Sequence, residues 1–169
     1  TQGPAYYLMA QLAWNPMADA PAVMADYFQR GFGPAGAAVQ DYFRLLQDAH
    51  RRMLPGGKSW GEAFDAATFA RAAELLDRAD AALAGAPERY ARRLAFVRAG
   101  GDFLRLQTEN RALVPVLRQA GDQADAGDLA RARANWAAMR EIARRHPAFW
   151  HAGYAGSHLR PLVDPDAAP

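Results

Sequence analysis

Apolar residues return at intervals of three and four along most of this chain, and no run of β-branched residues alternates with polar ones. The first spacing lines one face of a helix; the second is what a half-buried strand requires. Asn-Gly and Asp-Gly hairpin turns are missing too. The expectation is an all-α fold, a bundle of five to seven mostly antiparallel helices without a sheet, over residues 1–150, with an irregular tail over 151–169. A chain of 169 residues, 51% hydrophobic and 22% charged, suits one folded domain and argues against disorder throughout.

Helix boundaries follow from local chemistry. Gly3-Pro4 opens a first helix running to Trp14, and Asn15-Pro16 stops it. This segment has no strong polar face, so a helix here needs covering on most sides. Asp19 is an N-cap candidate for a second helix, with Pro21 in its first turn and Met24, Tyr27, Phe28 and Phe32 as its stripe. Gly31-Phe32-Gly33-Pro34 breaks the chain. A third helix then presents Val39, Tyr42, Phe43, Leu46, His50 and Met53 and ends at Pro55-Gly56-Gly57.

Lys58–Asp65 reads as a loop. Asp65 then caps a helix with the stripe Phe69, Ala72, Ala73, Leu76, Ala79 and Leu83, and Phe64 and Phe69 hold the positions of a hydrophobic staple. After Gly85 and Pro87 comes a long segment in which Gly100-Gly101 marks either close packing or a break, and Pro115 a kink or an end. The last helix is expected to start at Gly127-Asp128, with Asp128 as its cap, to carry Leu129, Ala132, Trp136, Met139 and Ala143, and to end at Pro147.

Composition removes several chemistries. With no cysteine there are no disulfides, thiolate nucleophiles or cysteine-ligated metals. No run of 18 apolar residues exists to form a membrane-spanning helix. His146, His151 and His158, with Asp164 and Asp166 behind them, lack the i, i+4 spacing of helical metal ligands, so no metal and no cofactor are expected. His50 reads as a hydrogen-bonded histidine at the inner edge of its helix.

Glu62 with Asp65, or Glu74 with Asp77, resembles a glycosidase carboxylate pair only in composition; neighbours on one helix make no cleft, and caps or solvated charges fit better. Neither Ser59 nor Ser157 sits in Gly-x-Ser-x-Gly. Arginines cluster at Arg51-Arg52, at Arg89 with Arg92-Arg93, at Arg131 with Arg133, and at Arg144-Arg145. Interspersed acids and a net charge of only +2 point to intrahelical ion pairs rather than nucleic acid. Aromatics are densest before residue 44. Phe28, Phe32 and Phe43 read as core, whereas Tyr6, Tyr7 and Trp14, on the over-apolar first helix, are the candidate contact residues for a neighbouring domain or a sugar.

Gly3-Pro4-Ala5-Tyr6-Tyr7-Leu8-Met9-Ala10-Gln11-Leu12-Ala13-Trp14-Asn15-Pro16, then Ala18-Asp19, Asp26-Tyr27-Phe28, Gly31-Phe32-Gly33-Pro34-Ala35 and Asp41-Tyr42-Phe43, together resemble the domain of unknown function 4838 family. The resemblance covers about a quarter of the chain. It implies the C-terminal helical region of a bacterial carbohydrate-active protein, similar to α-glucuronidases, lying after a barrel-like catalytic domain that would carry the catalytic carboxylates. It thus implies a non-catalytic accessory domain whose partner is an N-terminal catalytic domain of the same chain, with carbohydrate as a further candidate ligand. Localisation would be extracellular or periplasmic if the parent protein degrades polysaccharide, and cytoplasmic otherwise. The alternatives from other classes are a self-standing helical protein-interaction module and a small-molecule sensor with a pocket between helices.

Overall fold

The computed structural model describes residues 3–53 and 56–146. They form an all-α bundle with no strand among the described residues: α1 Gly3–Trp14, α2 Ala20–Phe32, α3 Gly36–Arg51, the single turn α4 Trp60–Ala63, α5 Ala66–Ala82, α6 Glu88–Ala120 and α7 Ala126–Arg145. Short 3₁₀ turns at Gly33–Ala35 and Gly121–Gln123 precede α3 and α7. Pro147, the expected stop for α7, and the tail over 151–169 lie outside the described residues, as does Pro55. The chain divides into two compact units: residues up to Gly57 with Asp65–Gly100, and Lys58–Phe64 with residues from Gly101 onward.

In the first unit, α2, α3, α5 and the start of α6 enclose Phe28, Phe32, Val39, Tyr42, Leu75, Leu76, Leu94 and Val97. The three-and-four spacing of these residues is what puts them on one side of each helix. Asp65 caps α5 as expected, its carboxylate accepting from the Thr68 N–H at 2.8 Å. Asp19 occupies the N-cap of α2 but makes no side-chain cap bond. The turn between α2 and α3 depends on two glycines. Gly33 has φ +54°, and a Cβ there would lie 2.6 Å from the Tyr90 ring. A Cβ on Gly36 would lie 2.8 Å from the Phe28 carbonyl oxygen. Arg93 closes the end of α2 by donating to the carbonyls of Arg30 and Gly31 at 3.2 and 3.0 Å. His50, expected at the inner edge of α3, is exposed; Ala49 takes the buried place beside it.

The second unit is an antiparallel helix pair with α4. Phe103, Leu106, Asn110, Leu113 and Leu117 are buried along α6 at alternating steps of three and four. Ala132, Asn135 and Met139 are buried along α7. This is a coiled-coil-like seam with a polar layer inside it. Asn135 Nδ2 donates to Asn110 Oδ1 at 3.1 Å and to Glu109 Oε2 at 3.0 Å, and Asn110 Nδ2 donates to the Ala132 carbonyl at 3.2 Å.

Three expectations are corrected here. Lys58–Asp65 is not wholly loop: Trp60–Ala63 forms a helical turn, with the Glu62 carboxylate accepting from the Ser59 N–H at 2.9 Å. Of the two outcomes expected at Pro115, a kink or an end, the end is overturned: the proline lies inside α6. A proline inside a helix costs about 3 kcal/mol, while each fully buried large apolar side chain contributes about 1.5–3 kcal/mol. Leu113, Val114 and Leu117, all buried, therefore hold the helix together past the proline. Finally, α7 is capped by Asp125, which accepts from the Asp128 N–H at 2.9 Å. Asp128 sits one turn further in, where its negative charge favours the helix N-terminus, and pairs with Arg131 at 2.6 Å.

Candidate functional site

The first helix has an inner and an outer side. Pro4 is its one buried residue. Tyr7 turns inward: its ring centroid lies 5.1 Å from that of Tyr27 on α2, and its hydroxyl donates to Asp26 Oδ2 at 3.3 Å. Asp26 also accepts from Arg30 Nε at 2.5 Å. Burial pushes the Tyr27 phenol above its ordinary pKa, against the pull of the Arg93 charge.

The outer side is open. Tyr6 is 62% exposed, Met9 64% and Trp14 89%, and Met17, just past the helix, is 91% exposed. Tyr6, Met9 and Ala13 follow the i, i+3, i+7 spacing of one helical face, flanked by Ala10, while Trp14, seven residues after Tyr7, is exposed at the C-terminal end of the helix. No residue of α1 carries a charge. Asn15 Oδ1 accepts from the Met17 N–H at 3.2 Å and shapes the turn that follows. Of the three candidate residues, Tyr6 belongs to this open face, Trp14 is exposed at the end of the helix, and Tyr7 joins α1 to α2. Met9 and Met17 were not singled out, although the spacing from Tyr6 to Met9 was there to be read.

The other candidates fall into structural roles. Glu62 accepts from both the hydroxyl and the N–H of Ser59, which with the nearby Lys58 charge lowers its pKa. Asp65 is a helix cap. Glu74 pairs with Arg71 at 2.6 Å, and Asp77 with Arg98 at 3.0 Å. Several of the clustered arginines make ion pairs within their own helices: Arg51 to Asp48 at 3.2 Å, Arg92 to Glu88 at 3.8 Å, and both Arg144 and Arg145 to Glu141, whereas Arg93 serves the end of α2. His146 ends α7, its N–H donating to the Ile142 carbonyl at 3.0 Å; His151, His158, Asp164 and Asp166 lie outside the described residues. Among the described residues, no three His, Asp or Glu side chains are grouped to hold a metal ion, and no helix is long and apolar enough to cross a membrane.

Comparison with protein-family models, with curated proteins and with solved structures found no match to the chain.

Proposed function

We propose that this chain is a non-catalytic helical accessory module that docks through the outer face of α1 onto a neighbouring folded domain of its own polypeptide. The observation that carries this reading is the exposure of Tyr6 and Met9 on one side of the uncharged helix α1, with Trp14 exposed at its end and Met17 just past it. Leaving such a face in water forgoes the free energy of burying it, and exposed apolar patches of this kind mark interaction sites.

Charge and area both bear on the partner. A face without charge gains nothing from nucleic acid or an anionic surface, so the partner surface is apolar and neutral. At about 200 Å² for a large side chain, the four exposed residues offer on the order of 600 Å². Stable complexes of free proteins bury about 800 Å² on each side, whereas domains of one chain are held by interfaces of about 600–1,500 Å². Tethering raises the effective concentration and makes the smaller area sufficient. The resemblance to the domain of unknown function 4838 family supports the same reading and names the neighbour as the catalytic barrel of a glycoside-hydrolase-like protein.

Hydroxyl-radical footprinting tests it. Tyr6, Met9 and Trp14 are labelled in the isolated chain and in the polypeptide as its gene encodes it. Several-fold protection in the latter is expected; equal labelling in both overturns the reading.

A further inference from the structure

We infer that α6 is a hinge helix that bends at Gly100-Gly101, where the chain passes from one compact unit to the other. The inference stands apart from the docking reading above. Buried residues recur along α6 at Leu94 and Val97 in the first unit and at Phe103, Leu106, Asn110 and Leu113 in the second. Between Val97 and Phe103 no residue is buried. The stripe position that falls there is residue 100, and Gly100 has no side chain to fill it. Each core thus stops short of the glycine pair.

Pro115 supplies the contrast within the same helix. Leu113, Val114 and Leu117 are buried around it and hold the backbone. The glycines have no such clamp, and against alanine each weakens local helix formation about fivefold. Paired small residues of this kind are where helices kink. The turns on either side are tied to different units. Arg98 pairs with Asp77 at 3.0 Å and with Asp80, both on α5 of the first unit. Beyond the pair, Thr108 accepts from Trp60 Nε1 at 3.0 Å, and the Arg111 guanidinium lies 4.4 Å from the centre of the Trp60 ring. The turn α4 therefore travels with the far half of α6. The chain enters α4 through a second glycine pair, Gly56-Gly57, and leaves it at Phe64-Asp65, which has no glycine and limits the swing. Bending at Gly100-Gly101 lets the two units reorient while each keeps its own core.

Two measurements test the hinge. The chain has no cysteine, so spin labels at Ala70→Cys on α5 and Ala137→Cys on α7, both exposed, are its only labels. Their distance distribution should be at least twice as wide with Gly100-Gly101 as in the Gly100→Ala/Gly101→Ala chain. A control pair within the second unit, Ala112→Cys with Ala137→Cys, should keep its width. Equal widths across the units overturn the hinge, and so does equal narrowing of the control pair. The second measurement needs no substitution at the glycines. The N–H groups of Gly101, Asp102, Phe103 and Leu104 make the i→i−4 bonds that span the pair. In the unsubstituted chain their hydrogen-exchange protection factors should be at least tenfold below those of Leu94–Val97 and Leu106–Asn110. Uniform protection along α6 overturns the inference even if the alanine variant fails to fold.

Discussion

At Gly33 two requirements meet in one residue. The backbone takes φ +54°, and the Tyr90 ring fills the space where a Cβ would stand at 2.6 Å. Gly33→Ala therefore combines backbone strain with a steric clash, and is expected to cost about 1–3 kcal/mol. For a unit of this size that lowers the melting temperature by roughly 4–8 °C for each kcal/mol. Adding Tyr90→Ala removes the clash but not the strain, so it should not restore stability. A Gly33→Ala melting curve that overlays the wild type would refute the argument. A different residue-scale demand falls on Asn110, which is fully buried and takes its Oδ1 hydrogen bond from Asn135. Asn135→Ala strands that oxygen, at a cost of about 1–3 kcal/mol. Replacing both asparagines with leucine leaves no stranded group, so the double variant should be less destabilised than the single. Amide hydrogen exchange in α7 measures both; a double variant as costly as the sum of the singles would show that the pair does not act as one buried unit.

At the scale of elements, the end of α7 makes a pH prediction. Glu141 accepts from Arg144 and Arg145 and is held at a pKa of about 2, against an ordinary 4.5. A lowered carboxylate pKa stabilises the fold above the unfolded value and stops doing so as pH falls through the folded one. The last turn of α7 should therefore lose amide protection between about pH 4.5 and about 2, and Glu141→Gln should abolish that step. An NMR titration of the Glu141 carboxyl with a midpoint near 4.5 would contradict it. The elements differ in how far they could be read in advance. The stripe of α2, most of those of α3 and α5, and the Asp65 cap were legible because each signal lies within a few residues; on α5 the exposed Ala73 stood in the expected stripe in place of the buried Leu75, as the exposed His50 did on α3. The turn α4 is too short to show a period, yet its Ser59-x-x-Glu62 pattern was present. The passage of α6 through Gly100-Gly101 and Pro115 was not legible: local propensity opposes it, and only the burial of Phe103, Leu106 and the leucines beyond overrides that propensity. On α7 the expected stripe holds, with Ala132 and Met139 buried and Leu129 and Trp136 packed against the core, but counting apolar residues alone passes over the buried Asn135. On α1 the exposed face was foreseen only in part. A helix apolar on every side carries no polar stripe to fix its phase, so Tyr7 could not be told from Tyr6.

For the whole molecule, the decisive question is whether anything in it performs chemistry. Glycoside hydrolysis needs two carboxyl groups facing each other across a sugar, about 5–5.5 Å apart for retention and about 6.5–9.5 Å for inversion, one of them with a raised pKa. The acids proposed from the sequence do other work: Asp65 accepts from the N–H of Thr68, Glu62 from Ser59, Glu74 binds Arg71, and Asp77 shares Arg98 with Asp80. Of these acids the one whose environment shifts it, Glu62, is shifted down, the wrong direction for a general acid at neutral pH, and so is Glu141 on α7. A protein of this kind is expected to hydrolyse a panel of aryl glycosides no faster than buffer does. Turnover that survives purification, and disappears when Glu62, Asp65, Glu74 or Asp77 is replaced by its amide, would mean that these caps and ion pairs open to form a site. The accessory reading would then give way to an enzymatic one. Trp14→Glu separates the two further: at 89% exposed its side chain supports little of the fold, so stability should change by no more than about 0.5 kcal/mol. A docking face should lose its apolar character in that variant, while a hidden catalytic site elsewhere should keep its rate.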